Sequence, residues 1–96
     1  MGIDDILNSK RGEILHLAAK HGARNVRVFG SVARGDATET SDVDFLVDME
    51  PGRSLFDMGG LLMDLRELLG REVDLVTENG LYWLLRRRIL KEARPL

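Results

Sequence analysis

The stretch Phe29-Gly-Ser-Val-Ala-Arg-Gly35, continued by Asp36-Ala-Thr-Glu-Thr-Ser41 and Asp42-Val-Asp-Phe-Leu-Val47, decides how this chain is read. Ahead of it, Asn25-Val-Arg-Val-Phe29 alternates apolar and polar residues and predicts a strand ending at Gly30. Asp42 to Val47 predicts a second strand, with Val43, Phe45 and Val47 on its core face. Successive strand side chains alternate faces, so Asp42 and Asp44 point the same way, their α-carbons roughly 6.5–7 Å apart. Two carboxylates on one face repel unless a cation sits between them. Hard oxygen ligands of this kind suit Mg2+, which takes one or two carboxylates plus substrate phosphates. Alternation alone often produces an Asp-x-Asp pair, so its weight comes from what precedes it. There, a strand running into Gly30-Ser31 and a helical turn presents free backbone N–H groups that can hold a phosphate. Gly30 lets the backbone come close to a ligand. The Ser31 hydroxyl adds a donor, and Arg34 can meet phosphate oxygens. A phosphate cradle followed closely by two Mg2+-type carboxylates is equipment for phosphoryl or nucleotidyl transfer.

Outward from this centre, Ile3 to His21 predicts a helix with Ile3, Leu7, Ile14 and Ala18 on one stripe; Gly12 is the expected break and Gly22 the stop. Leu55, Met58, Leu62, Leu65 and Leu69 predict a second helix that Gly70 ends, and Glu72 to Thr77 a third strand. Asn79 is a candidate cap for a last helix with the stripe Leu81, Leu84, Leu85 and Ile89. The expected fold is therefore α/β (α+β): a small mixed sheet of three or four strands covered by helices.

The chain has 96 residues, enough for one domain with a core of modest size and a thin stability margin. With 44% hydrophobic and 31% charged residues, it reads as an ordinary soluble protein. No apolar run approaches the roughly 20 residues of a membrane span, and Met1 to Lys10 lacks the apolar segment of a secretory signal. Cysteine is absent, which excludes disulfides and thiolate metal sites. A cytoplasmic protein is expected. Charge is uneven along the chain. Asp36, Glu39, Asp42, Asp44, Asp48 and Glu50 form an acidic middle, while Arg86, Arg87, Arg88, Lys91 and Arg94 make the end basic around one acid, Glu92. The basic run reads as a solvated helix face, without the interleaved aromatics of a nucleic-acid surface, so direct nucleic-acid binding is not expected. His16 and His21 read as surface or helix-end residues, and Met58 and Met63 as core filler. Tyr82 and Trp83 read first as packing residues and second as a partner-facing patch.

Gly30, Ser31, Ala33, Arg34, Gly35, Ser41, Asp42 and Asp44 stand in the register Gly-Ser, Ala-Arg-Gly, Ser-Asp-hydrophobic-Asp. In this the sequence resembles the minimal nucleotidyltransferase family of the polymerase-beta-like superfamily, over nearly its whole length. Asp36 stands where the family usually has Glu. The resemblance implies a single nucleotidyltransferase domain over residues 1–96, with ATP as substrate. It implies that Asp42 and Asp44 hold Mg2+, in a two-metal site that Asp74 completes, unless Asp74 instead draws the proton from the attacking hydroxyl. It also groups Gly30, Ser31, Arg34 and Ser41 as the nucleotide and phosphate contacts. Asp74 is expected on a short buried strand, where an unused acid is expensive, the alternative being an edge-strand acid facing water. Stand-alone members commonly pair with a HEPN-domain ribonuclease toxin and act as its antitoxin by adenylylating a tyrosine, which implies a hetero-oligomer. No acceptor domain is expected in so short a chain, and the C-terminal helix, with Tyr82, Trp83 and the Arg86-Arg-Arg88 face, is the expected docking surface. The alternatives are a binding module that neutralises its partner by occlusion, or transfer to a small molecule.

Overall fold

The computed structural model describes residues 2–96. Its centre is a four-stranded sheet in the order β3-β2-β1-β4. The strands are β1 (Ala23–Phe29), β2 (Val43–Met49), β3 (Val73–Thr77) and the short β4 (Arg94–Pro95). β1 runs antiparallel to both β2 and β4, whereas β2 and β3 are parallel. A parallel pair needs a long crossover, and helix α4 (Leu55–Leu69) supplies it. The expected α/β architecture is thus observed, with β4 as the fourth strand.

β2 is the organising strand. Val43, Phe45, Leu46 and Val47 are each no more than 1% exposed. Val43, Phe45 and Val47 join Val26 and Val28 of β1 in the main core. By alternation Asp42, Asp44 and Leu46 belong to the opposite face. The core face is covered by α1 (Ile3–Ser9), α2 (Arg11–Lys20) and α4, through Ile3, Leu7, Ile14, Ala18, Leu61, Leu65 and Leu69. In α4 the Ser54 hydroxyl accepts the Phe56 N–H at 3.2 Å and Asp57 accepts the Ser54 N–H at 2.9 Å. This reciprocal cap sets the helix start, and Gly70, at φ 64°, ends it. Among the described residues no helix is long and apolar enough to cross a membrane.

Several local expectations are corrected. The first helix breaks at Lys10, and Gly12 lies inside α2. The Ser9 hydroxyl donates to the Ile6 carbonyl at 3.0 Å, the side-chain competition for helix carbonyls that bends or ends a helix. β1 starts at Ala23 and is irregular: Asn25 has φ 52°, and the pairing with β2 shifts between Arg24 and Arg27. Asn tolerates this left-handed conformation, and Asp48 holds the bulge by accepting from Asn25 Nδ2 at 3.0 Å and Arg27 Nη2 at 3.1 Å. Asn79 does not cap the last helix. It lies in a 3-10 turn, Glu78–Gly80, where the Thr77 hydroxyl takes the Gly80 N–H, and α5 (Trp83–Glu92) begins after Tyr82. The expected apolar stripe of α5 is not buried; Leu84 and Leu85 are 57% and 46% exposed. Met63 is likewise exposed rather than core filler, because Leu61 and Leu65 take the inward positions of α4. His21 meets a carboxylate after all, its Nε2 lying 2.7 Å from Asp64 Oδ2 between α2 and α4.

Candidate active site

The sequence that turns from β1 into the next element builds one wall of a cavity of about 410 Å³. After Phe29 the backbone enters the five-residue helix α3 (Gly30–Arg34), which Gly35 closes at φ 81°. Gly30 itself has φ 70°, and any β-carbon there would run into Asp44 Oδ2. The need for glycine therefore lies within the protein: it makes room for the aspartate of the neighbouring strand. Sequence reasoning had assigned that space to a ligand alone. Gly30, Ser31 and Arg34 line the cavity together with Ser41, Asp42 and Asp44. Six of the seven expected site residues thus line one cavity, and Asp74 does not.

Asp44 and Asp42 differ in setting. Asp42 lies one residue before β2 and is exposed, while Asp44 is half-buried within the strand. The Asp44 carboxyl is pushed up from 3.8 to about 6, first by burial and then by the negative charges of Asp74 and Asp42. Arg34 opposes this shift and Glu92 adds to it. Asp74 stands opposite Asp44 in the parallel β2–β3 register, close enough to act on its titration. It is exposed on the edge strand, not on the buried strand expected, and it does not line the cavity.

The remaining expected contacts are already engaged. Ser41 Oγ accepts the Thr38 N–H at 2.8 Å and so braces the loop that delivers Asp42. Arg71, from the turn before β3, donates to the carbonyls of Thr38 and Ser41 at 3.1 and 3.5 Å and holds the same loop. Arg34 meets Asp36 Oδ2 and Glu92 Oε1, both at 3.4 Å. The hydrogen bond to Asp36, and the charges of both acids, raise its pKa further above the ordinary arginine value.

The C-terminal helix supplies the part of the site that sequence reasoning missed. Leu85, Arg88, Ile89 and Glu92 of α5 complete the cavity. Their helical spacing was legible, but no pattern in the sequence ties them to a loop some sixty residues earlier. Arg88 brings the basic end of the chain to its acidic middle. The start of α5 is open: Trp83 and the preceding Tyr82 are 74% and 59% exposed, with ring centroids 6.1 Å apart.

Two hard carboxylates lining one cavity, one of them held at a raised pKa by burial and by neighbouring negative charge, fit a divalent cation. Among the described residues no three His, Cys, Asp or Glu side chains converge into a ready-made metal cage. A two-carboxylate site leaves the other positions of such an ion to water and substrate phosphates, the usual arrangement for Mg2+.

Comparison with known proteins points to nucleotidyl transfer. The nucleotidyltransferase domain family matches residues 14–96. A candidate protein adenylyltransferase of Methanocaldococcus jannaschii is 44% identical over 87 residues, covering 91% of this chain and 94% of that protein. The protein adenylyltransferase MntA of Thermococcus cleftensis is 41% identical over 91 residues, covering 95% and 89%. A solved structure of a candidate minimal nucleotidyltransferase superposes with a TM-score of 0.86 at 52% identity, covering 96% of this chain and 94% of that one. A toxin–antitoxin structure with AMP-PNP, at 21% identity and a TM-score of 0.74 over 88% of this chain and 69% of that one, shares the fold.

Proposed function

The chain belongs to the nucleotidyltransferase domain family, among its minimal nucleotidyltransferases, and from that premise we propose that it transfers AMP from ATP to a hydroxyl of a toxin partner, acting as the antitoxin of the pair. The observation that carries this reading is the single cavity in which Gly30, Ser31 and Arg34 face Asp42 and Asp44. The names of the archaeal relatives support adenylyl transfer to protein, and the toxin–antitoxin complex built on the same fold supports the biological setting. The partner in this proposal is a HEPN-type ribonuclease, the acceptor a tyrosine, and residues 1–96 form one catalytic domain.

Asp42 and Asp44 would hold Mg2+, which when bound offsets the charge of the triphosphate and polarises its phosphorus–oxygen bonds. The backbone of Gly30 and Ser31 and the guanidinium of Arg34 bind and orient the phosphates. Ser41 and Arg71 keep the Asp42 loop in place through the contacts described above. The acceptor oxygen attacks the α-phosphorus, the bond to the β,γ-phosphate group breaks, and pyrophosphate leaves. The proton of the acceptor hydroxyl passes to Asp74, next to Asp44 in the sheet. Tyr82, Trp83 and Arg86 are exposed at the start of the helix whose Leu85, Arg88, Ile89 and Glu92 line the cavity, and this apolar, basic surface suits a protein partner.

The test is to co-express the chain with its toxin and weigh the toxin intact. A mass gain of one or more AMP units, lost when Asp42 and Asp44 are both changed to Asn, is expected. A toxin that is inhibited yet unmodified would replace transfer by occlusion.

A further inference from the structure

The phosphate cradle already has an occupant from its own chain. Glu92, the last residue of α5, turns its carboxylate into the cavity, where Oε1 accepts the Gly30 N–H at 3.0 Å and lies 3.4 Å from Arg34 Nη1. These are two of the donors assigned above to the triphosphate. The glutamate side chain is only 19% exposed, so this is no loose surface pair. A carboxylate accepts an N–H more strongly than a neutral oxygen does. One N–H cannot serve a carboxylate and a phosphate oxygen together, and the two anions repel at that spacing. The end of α5 is tethered, because β4 follows at Arg94 and pairs with Val28 and Arg27 of β1. Release therefore falls to the glutamate side chain, which can rotate while the helix end stays fixed.

We propose that Glu92 is a built-in competitor of the triphosphate: its carboxylate latches Gly30 and Arg34 in the free protein and swings out when nucleotide phosphates arrive. The proposal rests on reading Gly30, Ser31 and Arg34 as the phosphate cradle. Apparent affinity falls in proportion to the time the latch is closed. Removing the carboxylate should tighten ATP binding about tenfold, the change that one contact of about 1.4 kcal/mol gives. Adenosine carries no phosphate and does not compete with Glu92, so its affinity stays the same.

Calorimetry on the full chain with Mg2+ tests this, using Glu92→Gln, Glu92→Ala and Glu92→Asp against ATP and adenosine. Asp keeps the charge but shortens the reach, so all three variants should bind ATP more tightly and adenosine as before. If Ala prevents folding, Asp decides, because Gln keeps an oxygen that can still accept the Gly30 N–H. Unchanged or weaker ATP binding in the folded variants, or equal tightening for adenosine, overturns the latch. Replacing Asp42 and Asp44 by Asn in the wild-type background keeps the two failures apart. If that double variant loses Mg2+-dependent ATP binding while Glu92→Ala and Glu92→Asp gain nothing, the site stands and only the latch falls. If it loses nothing, the site reading itself is wrong.

Discussion

Changing Asp44 to Asn should stabilise the metal-free protein, and the gain should depend on pH. The Asp44 carboxyl titrates at about 6 in the fold, against 3.8 when free, first because it is half-buried and then because Asp74 and Asp42 face it. Its protonated form is therefore favoured in the native state. Between pH 3.8 and about 6 the native chain binds more protons than the unfolded one, and stability falls as pH rises through that window. Above pH 6 the penalty is complete. Two pKa units correspond to about 3 kcal/mol, and water reaching a half-open site reduces this to about 1–2 kcal/mol. Asparagine has nearly the same shape and no charge, so it removes the penalty. For a domain of this size the melting temperature should rise by about 5–10 °C near pH 8 in chelator. Near pH 4 wild-type Asp44 is already neutral, and the two proteins should melt together. The assay is thermal unfolding by circular dichroism across that range, read as variant minus wild type so that acids remote from Asp44 cancel. A variant that melts lower than wild type near pH 8, or by the same margin at every pH, would refute the account of Asp44 as a charge held at a cost.

Gly30→Ala should lower stability by about 1–3 kcal/mol through the strain of a left-handed backbone at a non-glycine residue, seen in the same melts. It should also abolish Mg2+-dependent ATP binding by calorimetry, since the new methyl takes the space of the Asp44 carboxylate; normal binding would mean that Asp44 is free to move aside. Asp74→Asn should leave ATP affinity nearly intact and slow transfer at saturating ATP by roughly 10²–10⁴-fold, the usual size of a general-base contribution. Weakened binding with an unaltered saturated rate would make Asp74 a structural acid.

The part of the site legible in the sequence is the part whose geometry is local. Gly30 to Arg34 and Asp42 to Asp44 are joined by a short loop between adjacent strands, so spacing and alternation alone bring them to one cavity. The α4 helix and its Gly70 stop were legible for the same reason, as period and punctuation lie within one segment. What escaped depended on tertiary partners. Glu92 and Arg88 reach the cavity only because β4 returns the chain to β1, and a two-residue strand leaves no alternation to read. Asn79 looked like a cap until Thr77 captured the Gly80 N–H and tightened the turn. The α5 leucines have the period of a buried stripe, yet the core face of the sheet is already filled by α1, α2 and α4. Periodicity says which residues share a face of a helix and not whether anything covers that face.

How a domain of this size tolerates a misplaced charge in its central strand is a question of magnitudes. Asp44 costs about 1–2 kcal/mol when no cation is present, by the discounted shift above. Its neighbours Val43, Phe45, Leu46 and Val47 are each at most 1% exposed, and full burial of such side chains contributes about 1.5–3 kcal/mol apiece. Before chain ordering is counted, the burial of the four together exceeds the cost of the charge several-fold, and ordering the strand takes up much of that gain. The alternation that points Asp44 at the cavity points Val43 and Phe45 into the core, so anchor and acid belong to one rigid strand, paired on both sides. Asp42 has no such anchor. It sits on the loop end, exposed, and its position depends on Ser41, Thr38 and Arg71. The two aspartates therefore differ in kind: Asp44 is fixed by the fold and strained by it, whereas Asp42 is held by a few polar contacts and little strained. A cation between them would relieve the first and order the second, so the largest stabilisation from Mg2+ belongs at neutral pH, where Asp44 is ionised.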